Sequence, residues 1–335
     1  MKEFKLGPTV TIKKNKKSSR PKTRGFGYQV LGFGSGGGAA PVAMDYLIVA
    51  GGGGGANQGG GGAGGFRTSF PGGTQLEFAA NSAYNVTIGS GGAAQTRGQD
   101  STFQFGTGQS LSASGGGRGA TPTTSPAVPD KDGGSGAGGN IGNPPSGEGG
   151  QGNRGGFSPP EGNGGGNGTH FPPLGPQGAN VGGGGGGAAQ AGQSGGNSAG
   201  TGGAGGNGSP STISGSDVTR GGGGGAGMSG NSSNNRPGGS GGGGTGNFGP
   251  MAGQSGQANT GGGAGGSGDG AGGNFGTGGS GVVIFRAPST TTLTVTPGTN
   301  QTSTAPGGEK IATFIDRDWE TVNVAIFSPP GAVEV

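Results

Sequence analysis

The run Met44-Asp45-Tyr46-Leu47-Ile48-Val49-Ala50-Gly51-Gly52-Gly53-Gly54-Gly55 decides how this chain is read. Six of its first seven residues, all but Asp45, are aromatic or aliphatic, with Ile48 and Val49 β-branched, the signature of a strand. The five that follow have no side chain and favour neither helix nor strand. A mirrored run, Gly278-Gly279-Ser280-Gly281-Val282-Val283-Ile284-Phe285-Arg286, leaves the glycine region through a second strand, with Pro288 just beyond it. The two runs look like the covalent ends of one folded unit. Further strands are predicted at Tyr84 to Ile88, Thr291 to Thr296, Lys310 to Ile315 and Thr321 to Phe327. No window shows a helical period of useful length, so almost no helix is expected.

Glycine supplies 100 of the 335 residues, against a usual share of about 7%. Residues 51–281 hold 88 of them. Such a region has three states open to it. Disorder is the default for Gly/Ser-rich chains, which cannot offset the entropy of ordering. A collagen triple helix needs glycine at every third position, and Gly182–Gly187 and Gly221–Gly225 break that period. The third state is a bundle of polyglycine-II helices, three residues per turn and about 3.1 Å of rise per residue. Their N–H and C=O groups point outward and bond to neighbouring rods. The sequence favours this third state. Glycine tracts recur at 51–55, 59–65, 115–117, 164–166, 182–187, 221–225, 241–244, 261–266 and 272–279, separated by short turn-rich segments that often hold an aromatic. The expected fold is therefore mainly irregular and β, a bundle or sandwich of polyglycine-II helices flanked by short β-strands.

Charge divides the chain differently. Residues 1–25 hold nine of the 19 basic residues and one of the 15 acidic ones, a net of +8, which leaves ten basic and 14 acidic residues elsewhere. We read residues 1–41 as a basic attachment arm, 42–286 as the glycine-rich domain, and 287–335 as a Thr-rich linker with a small β-module. No apolar segment follows the basic N-terminus, so no secretory signal is predicted. The longest apolar stretch, Val42 to Ala50, is too short to span a bilayer, and no membrane insertion is expected.

The residues quoted above also carry a resemblance. Asp45 to Gly55, then Gly59-Gly60-Gly61-Gly62-Ala63-Gly64-Gly65, then Tyr84-Asn85-Val86-Thr87-Ile88-Gly89-Ser90-Gly91-Gly92, and finally Gly278 to Ile284 resemble, in order and spacing, the glycine-rich domain of tailed-phage virion proteins. The match covers roughly residues 43–286. More loosely, the chain is similar to the tail-fibre tip adhesins of large myophages. The resemblance implies a polyglycine sandwich on the particle surface, with inter-rod loops that touch a host cell-surface receptor. The basic leader and the Thr-rich tail have no counterpart in that pattern. The expected function is a virion structural protein used in host attachment; the alternative is a purely structural head-decoration or tail-assembly protein. An ice-binding protein is the reading from another class, since small glycine-helix bundles serve that purpose, though those lack a basic arm.

Catalytic chemistry is poorly supplied. With no cysteine and one histidine, thiol nucleophiles, Cys-based zinc sites and His-ligated metal clusters are excluded. Neither a phosphate-binding lysine loop nor a paired-carboxylate motif stands out, so no enzyme, cofactor or metal is expected. Matches to G-x-G-x-x-G follow from composition alone. Arg154-Gly155-Gly156 and Arg220-Gly221-Gly222 are RGG-like, but two copies in a net-acidic body read as coincidence. Asp130-Lys131-Asp132-Gly133 faintly resembles a calcium loop and lacks the later ligands.

Candidate contact residues lie in the inter-tract segments, where prolines pre-order loops and aromatics give contact area at low entropic cost. They are Phe157, His170, Phe171, Asn234, Arg236, Asn247, Phe248 and Met251. Lys13, Lys14, Lys16, Lys17, Arg20, Lys22 and Arg24 are candidate anchors to other virion proteins. That run carries no aromatic stacking pattern, so nucleic acid is not the expected partner. A homo-oligomer, such as the trimer common among virion fibres, is compatible with the sequence but not specified by it.

Overall fold

The computed structural model describes residues 40–79, 82–106, 108–121, 129–140, 147–170, 180–196, 201–229, 236–268, 271–295, 299–315 and 325–327. Among them the chain forms β1 (Val42–Val49), β2 (Phe66–Thr68), β3 (Leu76–Phe78), β4 (Asn85–Thr87), β5 (Ser101–Gly106), β6 (Gln109–Ala113), β7 (Thr169–His170), β8 (Asn180–Val181), β9 (Ser209–Ser211), β10 (Val218–Arg220), β11 (Val282–Ala287), β12 (Thr292–Thr294), β13 (Gln301–Thr304), β14 (Lys310–Phe314) and β15 (Ala325–Phe327). One short 3₁₀ turn, Pro129–Lys131, is the helical content of the described residues.

The two runs that bracket the glycine region pair with each other. β1 and β11 are antiparallel, with Tyr46 opposite Phe285 and Val49 opposite Val282. They form the centre of an antiparallel sheet ordered β13-β14-β11-β1-β2, and β3 also pairs with β1. Successive strand residues face opposite sides, and here both sides are buried. Met44, Ile48, Val283, Phe285 and Phe314 share one core with Phe78, Tyr84, Phe103 and Leu293. Leu47, Val49, Val282, Ile284 and Ile311 share the other with Ile213 and Ala305. Strands buried on both faces read as unbroken apolar runs, which is why these two were legible. The β4-β5-β6 sheet supplies Val86 and Phe103 to the first core.

Beyond the sheet, the pairing continues without side chains. Past Val49, Gly51 and Gly54 donate to Gln99 and Thr96; Gly52 and Gly55 donate to Gly279 and Gly276; Gly53 and Ala56 donate to Gly62 and Gly59. The carbonyls repeat the pattern. Those of Gly51 and Gly54 accept from Gly116 and Gly119, those of Gly52 and Gly55 from Gly92 and Gln95, and those of Gly53 and Ala56 from Ala264 and Ser267. Every third residue thus addresses the same neighbour, the repeat of a polyglycine-II helix. Donors reach three antiparallel segments and acceptors three parallel ones, so the rod sits in a six-neighbour lattice. Gly182–Gly187 is built the same way. Its N–H groups go to Gly227 and Gly224, Gly139 and Gly136, Gln193 and Gln190. The cohesion comes from backbone bonds of about 0.5–1.5 kcal/mol net each, closed off at the sheet end by two apolar cores.

The outer rods lack neighbours, and side chains take their place. Asn167 Oδ1 accepts from the Gly149 N–H at 2.9 Å, Asn207 Oδ1 from Ser240 N–H at 3.0 Å, and Ser255 Oγ from Thr277 N–H at 3.1 Å. Asn163 Nδ2 donates to the carbonyls of Gly187 and Ala188. These contacts explain why the segments between glycine tracts are rich in Asn and Ser: they satisfy backbone groups that the lattice leaves open.

Glu161 ties lattice to sheet. The residue is buried, its Oε2 accepts from Ser114 N–H at 2.8 Å and its Oε1 from Gly155 N–H at 3.3 Å, while its carbonyl accepts from Phe66 N–H. Its carboxylate has no cationic partner among the described residues and is held by backbone donors alone. Glu161→Gln turns an acceptor-only group into one that presents an amide N–H₂ to those donors. A loss of about 1–3 kcal/mol is expected, read as a lower denaturant midpoint with an unchanged slope.

Candidate functional site

The rods run between two ends, and the contact candidates divide between them. The sheet end carries Ala50, Gly65 and Gly281, which lead directly from or into β1, β2 and β11. The opposite, distal end carries Asn57 and Gln58, where the first rod turns back. Gly227 donates to Gln58 and Gly182 to Gly227, which places the end of the 221–228 rod and the start of the 182–187 rod there.

A chain of isolated bridges assembles this distal end. Val181 pairs with Met228, Met228 with Phe248, Arg236 with Gly246, and Asn57 with Ser267. β7 and β8 join it through Thr169 opposite Val181 and His170 opposite Asn180. His170 (by its backbone), Arg236, Asn247, Phe248 and Met251 are therefore brought to one end of the molecule, although 81 positions separate the first from the last in sequence. Val181 and Met228 are fully buried and form its floor. Phe248 is half-buried, and Met251, at 42% exposure, is the large hydrophobic most open to solvent among the described residues. Asn247 Nδ2 donates to the Ala252 carbonyl and so fixes the turn that presents Phe248 and Met251. Phe171 and Asn234 lie outside the described residues, as do all seven basic anchor candidates, Lys13, Lys14, Lys16, Lys17, Arg20, Lys22 and Arg24.

Arg236 is the charged member of this end. Its stem occupies the space that a Cβ on Gly202 would fill, beside Met228. Its Nε and Nη2 are buried with no hydrogen-bond partner among the described residues. Desolvation by burial pushes the guanidinium pKa below its ordinary value.

Phe157 is elsewhere. It sits at the sheet end, beside β2, with the Arg67 guanidinium 3.8 Å above its ring centroid. Asn153 clamps its backbone, accepting from the Phe157 N–H and donating to the Phe157 carbonyl. Sequence reasoning missed Arg67 and Tyr46 as partners of this loop. Tyr46 lies in a strand that read as plain core and Arg67 in β2, which was not predicted, and nothing local in the sequence connects either to Phe157, at least ninety positions away.

No group of three or more His, Cys, Asp or Glu residues that could hold a metal is found among the described residues, and none of their helices is long and apolar enough to cross a membrane. The distal end offers aromatic, thioether, amide and guanidinium groups on a backbone scaffold, which is contact chemistry.

A family profile described as a glycine-rich domain matches residues 38–288. No curated protein and no solved structure matches the chain.

Proposed function

The chain belongs to the glycine-rich domain family, and from that premise we propose that it is a phage virion protein that contacts a host receptor through the distal end of its polyglycine bundle. The carrying observation is the convergence of Arg236, Asn247, Phe248 and Met251 at the end opposite the sheet. Both strands through which the chain enters and leaves the bundle, β1 and β11, lie at the other end. The sheet end is thus the attached end, joined to the segments that anchor the protein to the particle, and the distal end is the presented one. The order and spacing of the glycine tracts, which resemble those of tailed-phage virion proteins, support the same reading.

The test has two parts. An epitope tag beside Asn234, detected with gold-labelled antibody on intact particles, should appear at tail or fibre tips. Phe248→Ala combined with Met251→Asp should then slow adsorption to host cells by at least about tenfold, equivalent to about 1.4 kcal/mol of binding, with the thermal midpoint unchanged. Label spread evenly over the head, with adsorption intact, would assign the protein to head decoration instead. Absence of label from every particle would overturn the virion reading.

A further inference from the structure

A second site lies at the sheet end, and the attachment reading makes no use of it. A cavity of about 200 Å³ opens along the outer edge of β2, the terminal strand of the sheet. Phe66, Arg67 and Thr68 form one wall, Tyr46 adjoins them, and Ser158, Pro159 and Ser209 close the far side. The loop that carries Ser158 and Pro159 is pinned to β2 by the Phe66 N–H to Glu161 carbonyl bond and by the Asn153 clamp on Phe157. The walls are therefore set before any ligand arrives.

Arg67 is pre-positioned in the same way. Phe157 supports its guanidinium from one face, and Nη1 donates to the Ser112 carbonyl. Its remaining nitrogens, and the hydroxyls of Tyr46, Ser158 and Ser209, have no protein hydrogen-bond partner among the described residues. Polar groups that line a cavity and lack protein partners take them from water or from a ligand. Three of these four are hydroxyls, each able to donate and accept, and the Tyr46 ring and Pro159 add apolar surface to the lining. No acidic side chain lines the space. The volume falls below the roughly 300–1,000 Å³ of pockets that hold drug-sized molecules, which leaves room for a single ring.

We propose that this cavity is a saccharide subsite that takes one neutral sugar ring, its C–H face against the aromatic and proline surfaces and its hydroxyls on Tyr46, Ser158, Ser209 and the planar donors of Arg67. A free anion fits less well: hydroxyl groups outnumber cations, and Arg67 already shares its charge with the Phe157 ring and a carbonyl. The proposal stands on the cavity alone and does not depend on where the protein sits on a particle.

Saturation-transfer NMR on the purified full-length chain tests it, using D-glucose, D-galactose, N-acetyl-D-glucosamine and L-rhamnose as probes. At least one of the four should receive saturation from the protein. Ser209→Phe, which fills the cavity from a strand position, should abolish that signal, and Arg67→Lys should weaken binding about tenfold. Inorganic phosphate should not compete. The proposal is overturned if none of the four sugars responds, if phosphate displaces the sugar, or if binding survives Ser209→Phe in a protein with an unchanged thermal midpoint. If Ser209→Phe does not fold, Arg67→Lys decides alone, and unchanged binding then overturns it.

Discussion

Replacing Gly184 with valine is expected to abolish folding. Gly184 lies mid-rod; its N–H donates to Gln193 and its carbonyl accepts from Gly166, each at 2.9 Å. A Cβ built on it would fall on the carbonyl oxygen of Ala204. In an ordinary core, overpacking costs about 1–3 kcal/mol because neighbouring side chains shift into other rotamers. Here the obstructing atom is backbone, and that carbonyl is already engaged by the Gln193 N–H. Relieving the clash means moving one rod against the next and breaking hydrogen bonds along both. The expected loss exceeds about 5 kcal/mol, a large part of the 5–15 kcal/mol that stabilises a typical domain.

Gly272→Ala supplies the control. Gly272 has a φ of +62°, but no atom lies within 4 Å of a Cβ placed there. Its substitution carries only the cost of a left-handed alanine, about 1–2 kcal/mol. Denaturant titration of the two variants separates lattice packing from backbone conformation. A Gly184→Val protein as stable as Gly272→Ala would mean that the rods can part freely and that the lattice is not what holds the molecule together. The lattice does accept a methyl group where the Cβ points into a gap between rods, since Ala63, Ala137 and Ala264 are all fully buried. Intolerance therefore belongs to particular positions and not to every residue of a tract.

What the sequence disclosed follows from where the information is stored. Residues 46–49 and 282–285 are apolar on both faces, so both strands could be read directly as the ends of one unit, whereas their antiparallel pairing with each other emerges only in the fold. Tyr84 to Ile88 was visible by its alternation of apolar and polar residues, with Val86 buried between exposed Asn85 and Thr87, and Lys310 to Ile315 by its apolar content; the observed bounds are shorter by two residues and one. β13, Gln-Thr-Ser-Thr, is polar throughout and exposed along its length. It is a strand because it pairs with β14 at the sheet edge, a tertiary cause with no local signature. β5 and β6 likewise mix Ser, Thr and Gln with Phe103, Phe105 and Leu111, and their inner face is marked by the buried Phe103 and Ala113. The last two predicted strands were seen in part: β12 is Thr292–Thr294, and of Thr321 to Phe327 the described portion is β15, Ala325–Phe327. The rods themselves were legible as a class, but which end each loop occupies was not. Phe157 and Phe248 both sit near proline in glycine-rich surroundings, yet the first lies at the sheet end and the second at the distal end. The number of rod passages between them decides that, and it emerges only from the three-residue hydrogen-bond register.

The second large effect is expected at Phe285, where the part of the protein that does have side chains is concentrated. Phe285 is 1% exposed, and its ring packs against Phe103 at 4.6 Å, Phe78 at 5.5 Å and Phe314 at 5.9 Å between centroids. Among the described residues every ring–ring contact belongs to this one cluster. Phe285→Ala should cost about 3–5 kcal/mol for the lost burial and the cavity left behind. Edge-to-face partners are worth a further 0.5–1.5 kcal/mol or so per pair beyond burial, which puts the expectation at the upper end of that range. The damage should spread beyond the cavity. β11 is the strand on which β1 and β14 both pair, and the rod pairing of Gly52 and Gly55 with Gly279 and Gly276 continues its register. Phe285→Leu keeps most of the volume and should cost less than about 1.5 kcal/mol. Hydrogen exchange adds the decisive readout. If sheet and lattice fold as one unit, Phe285→Ala should lower protection at Gly52, Gly55 and Gly185 together with that of β1. Loss confined to the sheet, with the glycine amides still protected, would instead show that the polyglycine bundle holds itself together without its apolar end.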